Sequence, residues 1–577
     1  MSIIFWADDV SGNFNTGSNW DIGIVPGAAD SARITAIGSA YTVTSSTANI
    51  VNDIQTSVDA TLLVAGGTFT ATNGTGSGSN AGLIQVGNNA SFQMGGTVRN
   101  SGSIALQSVG NTTTVQILGG GASLRGGGEV TLSDSGANRI IGVSATDTLT
   151  NVNNIIVGGG QLGAGQMTFV NQAGGTVRAT MATGLVLNTG AQTVINAGLL
   201  EATTGTLVIQ NTTVDNSGGG AIEANGGNVN LQSARIIGGT LGTSGGGAFQ
   251  AVDRGSVLDG TTSAVHNDGT VNILNNQYLT IAGSIDNSGS INLLSVGNDT
   301  RLVIDNAGAT LSGGGTVSLS NNSTNLIIGN SATATLTNVD NTIAGGGQLG
   351  GGGMRFLNRA GGTVVANSGT ALTINTGTST VDNRGLFDAD AGSTLNVASN
   401  LKNTGTLVAD GTIFVSGVVT GSGAAVINDG GTLRFGAASS AAVDFAETTG
   451  LLQLDNSQSF SGTIAGLNPS VDGDYIDLED INFAGSSKSY VGDATSGILT
   501  VSDGVHTANL NMVGNFTVAS FALVNDGTGH VRITDPALAL FAQAMAANGA
   551  HAGGPLSMQL TPSDTSLPGI LAAPSVG

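Results

Sequence analysis

The sequence predicts an all-β fold, an elongated parallel β-solenoid (β-helix) with a cap at each end. Three observations predict it. A block of about ninety residues occurs twice, an Asn–Gly pattern returns every 20 to 25 residues, and the composition suits short strands joined by tight turns. Together they indicate coils stacked along one axis.

The composition excludes several other classes of protein. The chain has 577 residues, of which 94 are Gly, and this glycine content is unfavourable for helices. Only 7 residues are Pro and Gly does not recur at every third position, which excludes collagen. Because 40% of the residues are hydrophobic and 9% are charged, the chain is too apolar for intrinsic disorder. A single core rarely grows beyond about 250 to 300 residues, so this length favours several domains or a repeat array.

The repeated block lies at residues 100–190 and 287–377. The two copies align without a gap, and 56 of their 91 positions are identical. A duplication that keeps its register over this length indicates that a structural unit was copied whole, as in arrays whose units contact mainly their neighbours.

A shorter period lies within and between the copies. An Asn, a Gly soon after it and an alternating apolar run recur together, as in NTGTLVA from Asn403. We expect these Asn and Gly residues to occupy positive-φ corners of the coils, with glycine triplets such as 158–160 and 345–347 marking corners without room for side chains. The Asn residues of this pattern are Asn171, Asn196, Asn216, Asn267, Asn287, Asn358, Asn383, Asn403 and Asn428.

The period gives the dimensions of the predicted solenoid. Residues 45–460 would form roughly 19 coils of about 22 residues, and strands stacked about 4.8 Å apart would make a rod about 90 Å long. Thirteen of the 22 aromatic residues fall in 1–41 and 442–541. Because open strand edges invite aggregation, we interpret residues 1–44 and 461–535 as caps. The tail 536–577 is either a frayed terminus or the carrier of an export signal.

Charge and cysteine content exclude further functions. Acidic residues outnumber basic ones 37 to 15, so nucleic acid and anionic membranes are unfavourable partners. Without cysteine there is neither a disulfide framework nor a thiolate metal site. No run of 18 apolar residues occurs, and we therefore expect no membrane-spanning helix.

The densest acidic stretch is VDGDYIDLED at 471–480. Its carboxylates are hard oxygen ligands close to a Gly turn, which is the chemistry that calcium prefers, and they form the candidate metal site. The alternative is a solvated acidic turn of the cap, and Asp526 in NDGTGH is a weaker candidate of the same kind. The candidate ligands are Asp472, Asp474, Asp477, Glu479 and Asp480.

No constellation typical of catalysis appears in the coils. Carboxylates occur singly or at turns without a basic partner, and Asp388 with Asp390 is the best acid pair because alternate strand residues face the same side. Asp8 and Asp9 lie beside aromatic residues in FWADDV, which is better interpreted as a cap turn than as a sugar site. The four histidines are scattered and show no metal-ligand spacing: His266, His506, His530 and His551.

Two segments carry a resemblance to known families. FWADDVSGNFNTGSNWDIGIVPGAADSARI (5–34) resembles the opening of many large bacterial surface or secreted β-strand-repeat proteins, and the coils resemble passenger domains of autotransporter adhesins. IAGLNPSVDGDYIDLEDINF (464–483) is similar to the C-terminal part of proteins exported by type I machinery, although the calcium-binding nonapeptide GGxGxDxUx is missing.

The resemblance implies an extracellular or cell-surface location in bacteria. We expect a non-enzymatic structural or adhesive protein of the cell surface, matrix or surface layer, whose partners are further copies of itself or cell-surface glycans. Calcium is the one cofactor considered. The alternative is a polysaccharide-active enzyme, a lyase or glycoside hydrolase, on a β-helix scaffold.

Overall fold

The computed structural model describes residues 2–468 and 473–534. It is 57% strand and 2% helix, and its parallel strands wind into a β-solenoid of about 20 turns, which confirms the predicted fold class. The tail 536–577 lies outside the described residues. Within the described ranges, no helix is both long and apolar enough to span a bilayer.

Each coil has three sides, so that stacking produces three parallel sheets that share one core. Sheet 1, the first in chain order within a coil, pairs strands such as Thr176–Ala179 and Leu199–Ala202. Its strands are Gly12–Asn13, Tyr41–Ser45, Ala60–Val64, Leu83–Val86, Ser103–Leu106, Glu129–Leu132, Ile155–Gly158, Thr176–Ala179, Leu199–Ala202, Ala221–Asn225, Gly239–Ser244, Thr335–Asn338, Arg355–Asn358, Val381–Asn383, Leu401–Asn403 and Val419–Thr420.

Sheet 2 follows sheet 1 around each coil. Its strands are Asn49–Val51, Gly67–Ala71, Asn138–Gly142, Gly160–Leu162, Leu185–Leu187, Leu207–Gln210, Val229–Gln232, Phe249–Ala251, Thr270–Leu274, Ser290–Leu294, Thr363–Ala366, Leu386–Ala389, Thr406–Ala409, Ala424–Ile427, Ala442–Phe445 and Thr463–Ala465. Four long strands begin in sheet 2 and end in sheet 3, namely Ala90–Arg99, Thr113–Arg125, Thr316–Gly329 and Thr342–Gly350.

Sheet 3 completes the coil. Its strands are Thr148–Asn151, Thr168–Asn171, Thr193–Asn196, Thr213–Asp215, Arg235–Ile237, Leu372–Ile374, Thr394–Val397, Thr412–Val415, Gly431–Phe435, Gly450–Leu454 and Tyr475–Asn482. Three long strands begin in sheet 3 and end in sheet 1, namely Ser256–Asn267, Tyr278–Asn287 and Thr300–Ser312. The described 3₁₀ helices are Gly17–Asn19, Ser457–Ser459 and Val518–Ser520.

Alternation along each strand builds the core. In Thr394–Val397, for example, Leu395 and Val397 are fully buried while Thr394 and Asn396 face outward. Because strands are parallel and in register, the inward residues of successive coils stack into continuous apolar columns. Glycines turn the corners as predicted: Gly345 has φ +122°, and a Cβ there would lie 1.9 Å from the carbonyl oxygen of Leu319.

The periodic asparagines do not occupy the positive-φ corners, and that prediction is wrong for them. The described non-Gly residues with positive φ are Asn89, Ala164, Asn211, Ser233 and Asn276. The periodic ones are instead buried, apart from the half-buried Asn428, and hydrogen-bond from coil to coil. Their amide groups need partners in the core, and the equivalent Asn one coil away supplies one.

These buried asparagines form two ladders. In most links a side-chain amide donates to the side-chain oxygen of the Asn in the next coil, over distances of 2.6 to 3.0 Å. The links from Asn100 to Asn154 and from Asn287 to Asn341 pass over one coil. Asn154 and Asn341 then bond through their backbone to the Asn three residues earlier in the same coil. The first ladder consists of Asn80, Asn100, Asn151, Asn154, Asn171, Asn196 and Asn216, and the second of Asn267, Asn287, Asn338, Asn341, Asn358, Asn383 and Asn403.

The two copies of the block have the same local structure but lie on different sides. Asn100 bonds Asn154 at 2.8 Å, and their counterparts Asn287 and Asn341 bond at 2.7 Å. Thr335–Asn338 in the second copy is the counterpart of Thr148–Asn151 in the first. Thr148–Asn151 belongs to sheet 3, whereas successive strand pairings place Thr335–Asn338 in sheet 1, the sheet of Thr176–Ala179. The second copy is therefore rotated by one side, about a third of a turn.

Aromatic packing closes the N-terminal end. The rings of Trp6 and Phe14 meet Trp20 edge to face at 5.1 and 5.0 Å, and Phe14 in turn contacts Phe69 of the coils at 5.2 Å. All four side chains are buried. A separate three-stranded parallel sheet of Ile3–Phe5, Ser31–Ile34 and Asp53–Thr56 lies at this end.

Antiparallel strands follow the last coil at the C-terminal end. Thr507–Val513 pairs in parallel with Thr463–Ala465 of sheet 2, and His530–Thr534 pairs antiparallel with Tyr475–Asn482 of sheet 3. The edges of two of the three sheets are thereby covered, which protects them from pairing with another chain. The remaining strands here are Ser487–Gly492, Ser496–Ser502 and Ala522–Asn525.

Candidate functional site

The predicted acidic ligands lie at the strand that ends sheet 3. Asp472 is outside the described residues. Asp474 accepts a hydrogen bond from the backbone N–H of Asn468 at 2.7 Å, and Asp480 accepts one from the hydroxyl of Ser457 at 2.6 Å. These two carboxylates therefore fasten separate loops of the last coil.

Asp477 and Glu479 lie two residues apart and share the outer face of the strand. Asp477 Oδ2 accepts a hydrogen bond from Arg532 Nη2 at 2.9 Å, across the antiparallel pair. Glu479 Oε1 accepts one from the amide of Gln453 at 2.7 Å. The second oxygen of Glu479, Oε2, faces the neighbouring hairpin of Ala522–Asn525 and His530–Thr534.

That hairpin brings His530 and Asp526 to Glu479. Nδ1 of His530 lies 3.5 Å from Glu479 Oε2 and 3.9 Å from Asp526 Oδ2, and the three potential ligand atoms all lie within 4.8 Å of one another. The interpretation of the histidines as scattered is wrong for His530. Its contact with Glu479 depends on a strand pairing that the sequence did not predict.

Burial and hydrogen bonding set the pKa values in this region. Burial raises the pKa of Asp474 to about 6, and burial also raises the pKa values of Asp477 and Glu479. Burial opposes ionisation of Asp526 too, but hydrogen bonds from Thr528 and the backbone of its turn lower its pKa to about 2. Asp526 is thus held as a carboxylate.

Two carboxylates and an imidazole can together hold one divalent cation. An imidazole nitrogen suits zinc and other transition metals, whereas calcium prefers oxygen ligands throughout. Calcium binding by the acidic stretch stays a prediction. The structure adds Asp526 and His530 to Glu479 as the residues that could share an ion.

Thermal unfolding with added cation and then with chelator tests this group. A cation that binds only the folded chain raises its apparent stability, so we expect the midpoint to rise with the ion and to fall back with chelator. Glu479→Gln should abolish the shift. Asp480→Asn is the matched control, because Asp480 follows Glu479 directly but lies outside the group of Glu479, Asp526 and His530. An unchanged midpoint with both calcium and zinc would contradict cation binding.

The acid pair predicted in the coils lies on the outer face of sheet 2. Asp388 is half-buried, Asp390 is exposed, and the inward Ala389 separates them. Burial raises the pKa of Asp388 to about 6, and the nearby charges of Asp390 and Asp410 add to the rise. Asp388 is therefore the carboxyl of this face that stays protonated closest to neutral pH.

Replacing Asp388 by Asn should stabilise the protein at pH 7. The folded pKa lies above the unfolded one, so the contribution of Asp388 to stability is complete below about pH 4 and is lost as the pH rises through 6. We expect Asp388→Asn to gain about 1 kcal/mol at pH 7, after discounting for solvent screening, and nothing at pH 3.

Denaturant unfolding of both proteins from pH 3 to 8 measures this difference. Asp134→Asn provides the contrast, because hydrogen bonds from Thr183 lower the pKa of Asp134 and its loss should destabilise at neutral pH. A gain for Asp388→Asn that is independent of pH would contradict the assignment.

The outer face of sheet 3 carries one continuous column of side chains, here called the sheet 3 column. Register aligns its members one per coil, from Tyr278 to Arg434. Two clefts open beside it, of about 430 Å³ at Leu326 and Gln348 and about 270 Å³ at Asn396 and Phe414. The column consists of Tyr278, Arg301, Leu326, Gln348, Thr373, Asn396, Phe414 and Arg434.

The carboxylates of FWADDV line or adjoin a smaller cleft of about 180 Å³. Asp9 accepts a hydrogen bond from the backbone N–H of Ser39 at 2.7 Å. Trp6 is 4% exposed and its indole N–H donates to the carbonyl oxygen of Val10. The indole therefore belongs to the core of this end and offers no face for a sugar.

Comparisons with known proteins return nothing to which the chain can be assigned: no family model, no curated protein and no solved structure matches it.

Proposed function

We propose that this chain is a non-enzymatic, extracellular β-solenoid that acts as a structural or adhesive component of a bacterial cell surface, matrix or surface layer. The single observation that carries the proposal is the uninterrupted tube of about 20 turns. At about 4.8 Å per turn it extends roughly 95 Å. Its length and repeated outer faces provide contact area for lateral association and for glycans.

The structure of the tube makes it stiff. Apolar columns and asparagine ladders link each coil to the next, so that bending would break hydrogen bonds in the core. A net charge of −22 keeps separate rods apart in dilute solution. Stiffness and spacing are properties that a surface layer or adhesive stalk requires.

The proposed location rests on the resemblance of residues 5–34 and of the coils to bacterial surface β-strand-repeat proteins. The similarity of 464–483 to type I-exported proteins, the acidic composition and the absence of cysteine support export by such a route. Detection of the tagged full chain on intact cells or in culture medium tests the location. Retention inside the cell would contradict it.

Electron microscopy and light scattering of the purified chain test the structural role. We expect rods that associate side by side or end to end as concentration rises. Rods that remain single at every concentration and bind neither cells nor polysaccharides would contradict a structural or adhesive role.

A second candidate function is that of a polysaccharide-active enzyme. The observation that favours it is Asp388, a carboxyl with a pKa of about 6 that shares a face with Asp390. A carboxyl with a raised pKa that shares a face with a second carboxyl is an arrangement used in glycoside hydrolysis. Release of reducing ends from a polysaccharide panel, lost in Asp388→Asn and kept in Asp382→Asn, would support it. No release from any substrate would exclude that activity for the panel tested.

A further inference from the structure

We infer that the sheet 3 column is a binding site for a neutral polysaccharide that lies along the axis of the solenoid, between Tyr278 and Phe414. The inference rests on the proposed adhesive function and gives it a site and a ligand class. Its basis is the combination of aromatic rings, amides and mostly paired charges on this one face.

Phe414 provides the apolar end of the site. The guanidinium of Arg434, one coil further, stacks on one face of its ring at 4.6 Å. The ring also lines the cleft of about 270 Å³, together with Thr373 and with Asn396, its partner in the preceding coil. A half-buried ring beside an amide and a hydroxyl suits a sugar, which has apolar C–H faces and polar edges.

Tyr278 provides the other end. Its ring is held between the guanidinium groups of Arg254 and Arg301, each 4.7 Å from the ring centre. Cation–π contacts with these two guanidinium groups hold the ring in place on the outer face. The phenol edge therefore stands at a fixed position on the outer face, six coils and about 29 Å from Phe414.

The coils between these rings supply hydrogen-bonding groups. Gln348 is exposed, and Thr373 and Asn396 are half-buried, so three successive coils each present one polar group. Leu326 and Gln348 line the larger cleft of about 430 Å³. Groups repeated at the spacing of the coils match a ligand that is itself a repeating chain.

Charge selects a neutral ligand over an anionic one. Arg301 is paired with Asp299 at 2.6 Å, and Arg434 is paired with Asp455 at 2.8 Å. Arg254 donates to the side chain of Asn276. Two of its three arginines are paired with carboxylates and the third has a neutral partner, so this face of a chain at −22 offers little positive charge for uronic acids or sulfates.

Affinity electrophoresis of the full chain tests the inference. The neutral probes are laminarin, xylan and mannan, and the anionic probes are alginate, polygalacturonate and heparin. We expect retardation by at least one neutral probe, and a loss of affinity of about tenfold in Phe414→Ala. Gln348→Ala should weaken the same probe.

Val408→Ala is the matched control, because Val408 is half-buried on the outer face of sheet 2 in the same coil as Phe414. Its affinity should equal that of the parent chain, and thermal unfolding confirms that each variant is folded. Retardation by anionic probes alone would overturn the ligand class, and equal binding by Phe414→Ala and the parent would overturn the site. If no probe binds, this inference fails, whereas rod assembly seen by microscopy would leave the structural role intact.

Discussion

Asn358→Ala should lower the free energy of unfolding by about 3 to 5 kcal/mol. Asn358 is fully buried, accepts a hydrogen bond from the amide of Asn338 at 2.9 Å and donates to Asn383 at 2.9 Å. Alanine leaves Asn383 Oδ1 without its donor and one side-chain N–H of Asn338 without its acceptor, and each such buried polar group costs about 1 to 3 kcal/mol. The small cavity adds to this loss.

Asn428→Ala is the matched control for this ladder. Asn428 falls at the same coil period but is half-buried, and its amide donates to Asp410. We expect a loss below about 1 kcal/mol, which urea unfolding followed by circular dichroism would measure. Hydrogen exchange should show faster opening around residues 338–403 in Asn358→Ala, because solenoid coils unfold with their neighbours. Equal losses in the two variants would contradict the role of the ladder.

Trp20→Ala should destabilise the N-terminal end by about 3 to 5 kcal/mol. The indole is 2% exposed, packs edge to face on Trp6 and Phe14, and donates its N–H to the carbonyl oxygen of Phe14 at 2.8 Å. Its removal opens the apolar columns of the first coils to water. We therefore expect earlier thermal unfolding together with aggregation through the exposed strand edges.

Light scattering during heating measures both effects. Phe5→Ala is the control, since Phe5 belongs to the same end but is 45% exposed. Its loss should change the free energy of unfolding by no more than a surface substitution does, about 0.5 kcal/mol, so the midpoint should stay almost the same. Hydrogen exchange should increase within residues 2–71 of Trp20→Ala and remain unchanged around Asn358. A variant with a normal midpoint and no aggregation would contradict the capping role.

The period and alternation of the sequence were sufficient to predict the solenoid and its number of coils. The role of the periodic asparagines could not be predicted, because a positive-φ corner and a buried ladder both repeat once per coil. Asn211 and Asn276 occupy left-handed corners, whereas Asn358 is buried in the ladder, and only the direction of each side chain distinguishes them.

The grouping of Glu479 with Asp526 and His530 could not be predicted from the sequence, for a different reason. Alternation shows which residues share a face of one strand, but it does not say which strand lies alongside. The antiparallel pairing of Tyr475–Asn482 with His530–Thr534 joins residues about fifty positions apart, with a bulge between Leu478 and Asn482. The sheet 3 column could likewise not be predicted from the sequence, since its members come from eight different coils.

The third-of-a-turn offset between the two copies determines what a single rod can touch. Equivalent residues of the copies are separated by about eight coils, or about 40 Å, and point in different directions. A flat surface that contacts the rod from one side can therefore contact equivalent residues of only one copy. The equivalent residues of the other copy remain available to a second surface. For the structural role proposed above, this offset would favour cross-links in three dimensions, whereas two copies facing the same way would favour a sheet-like layer.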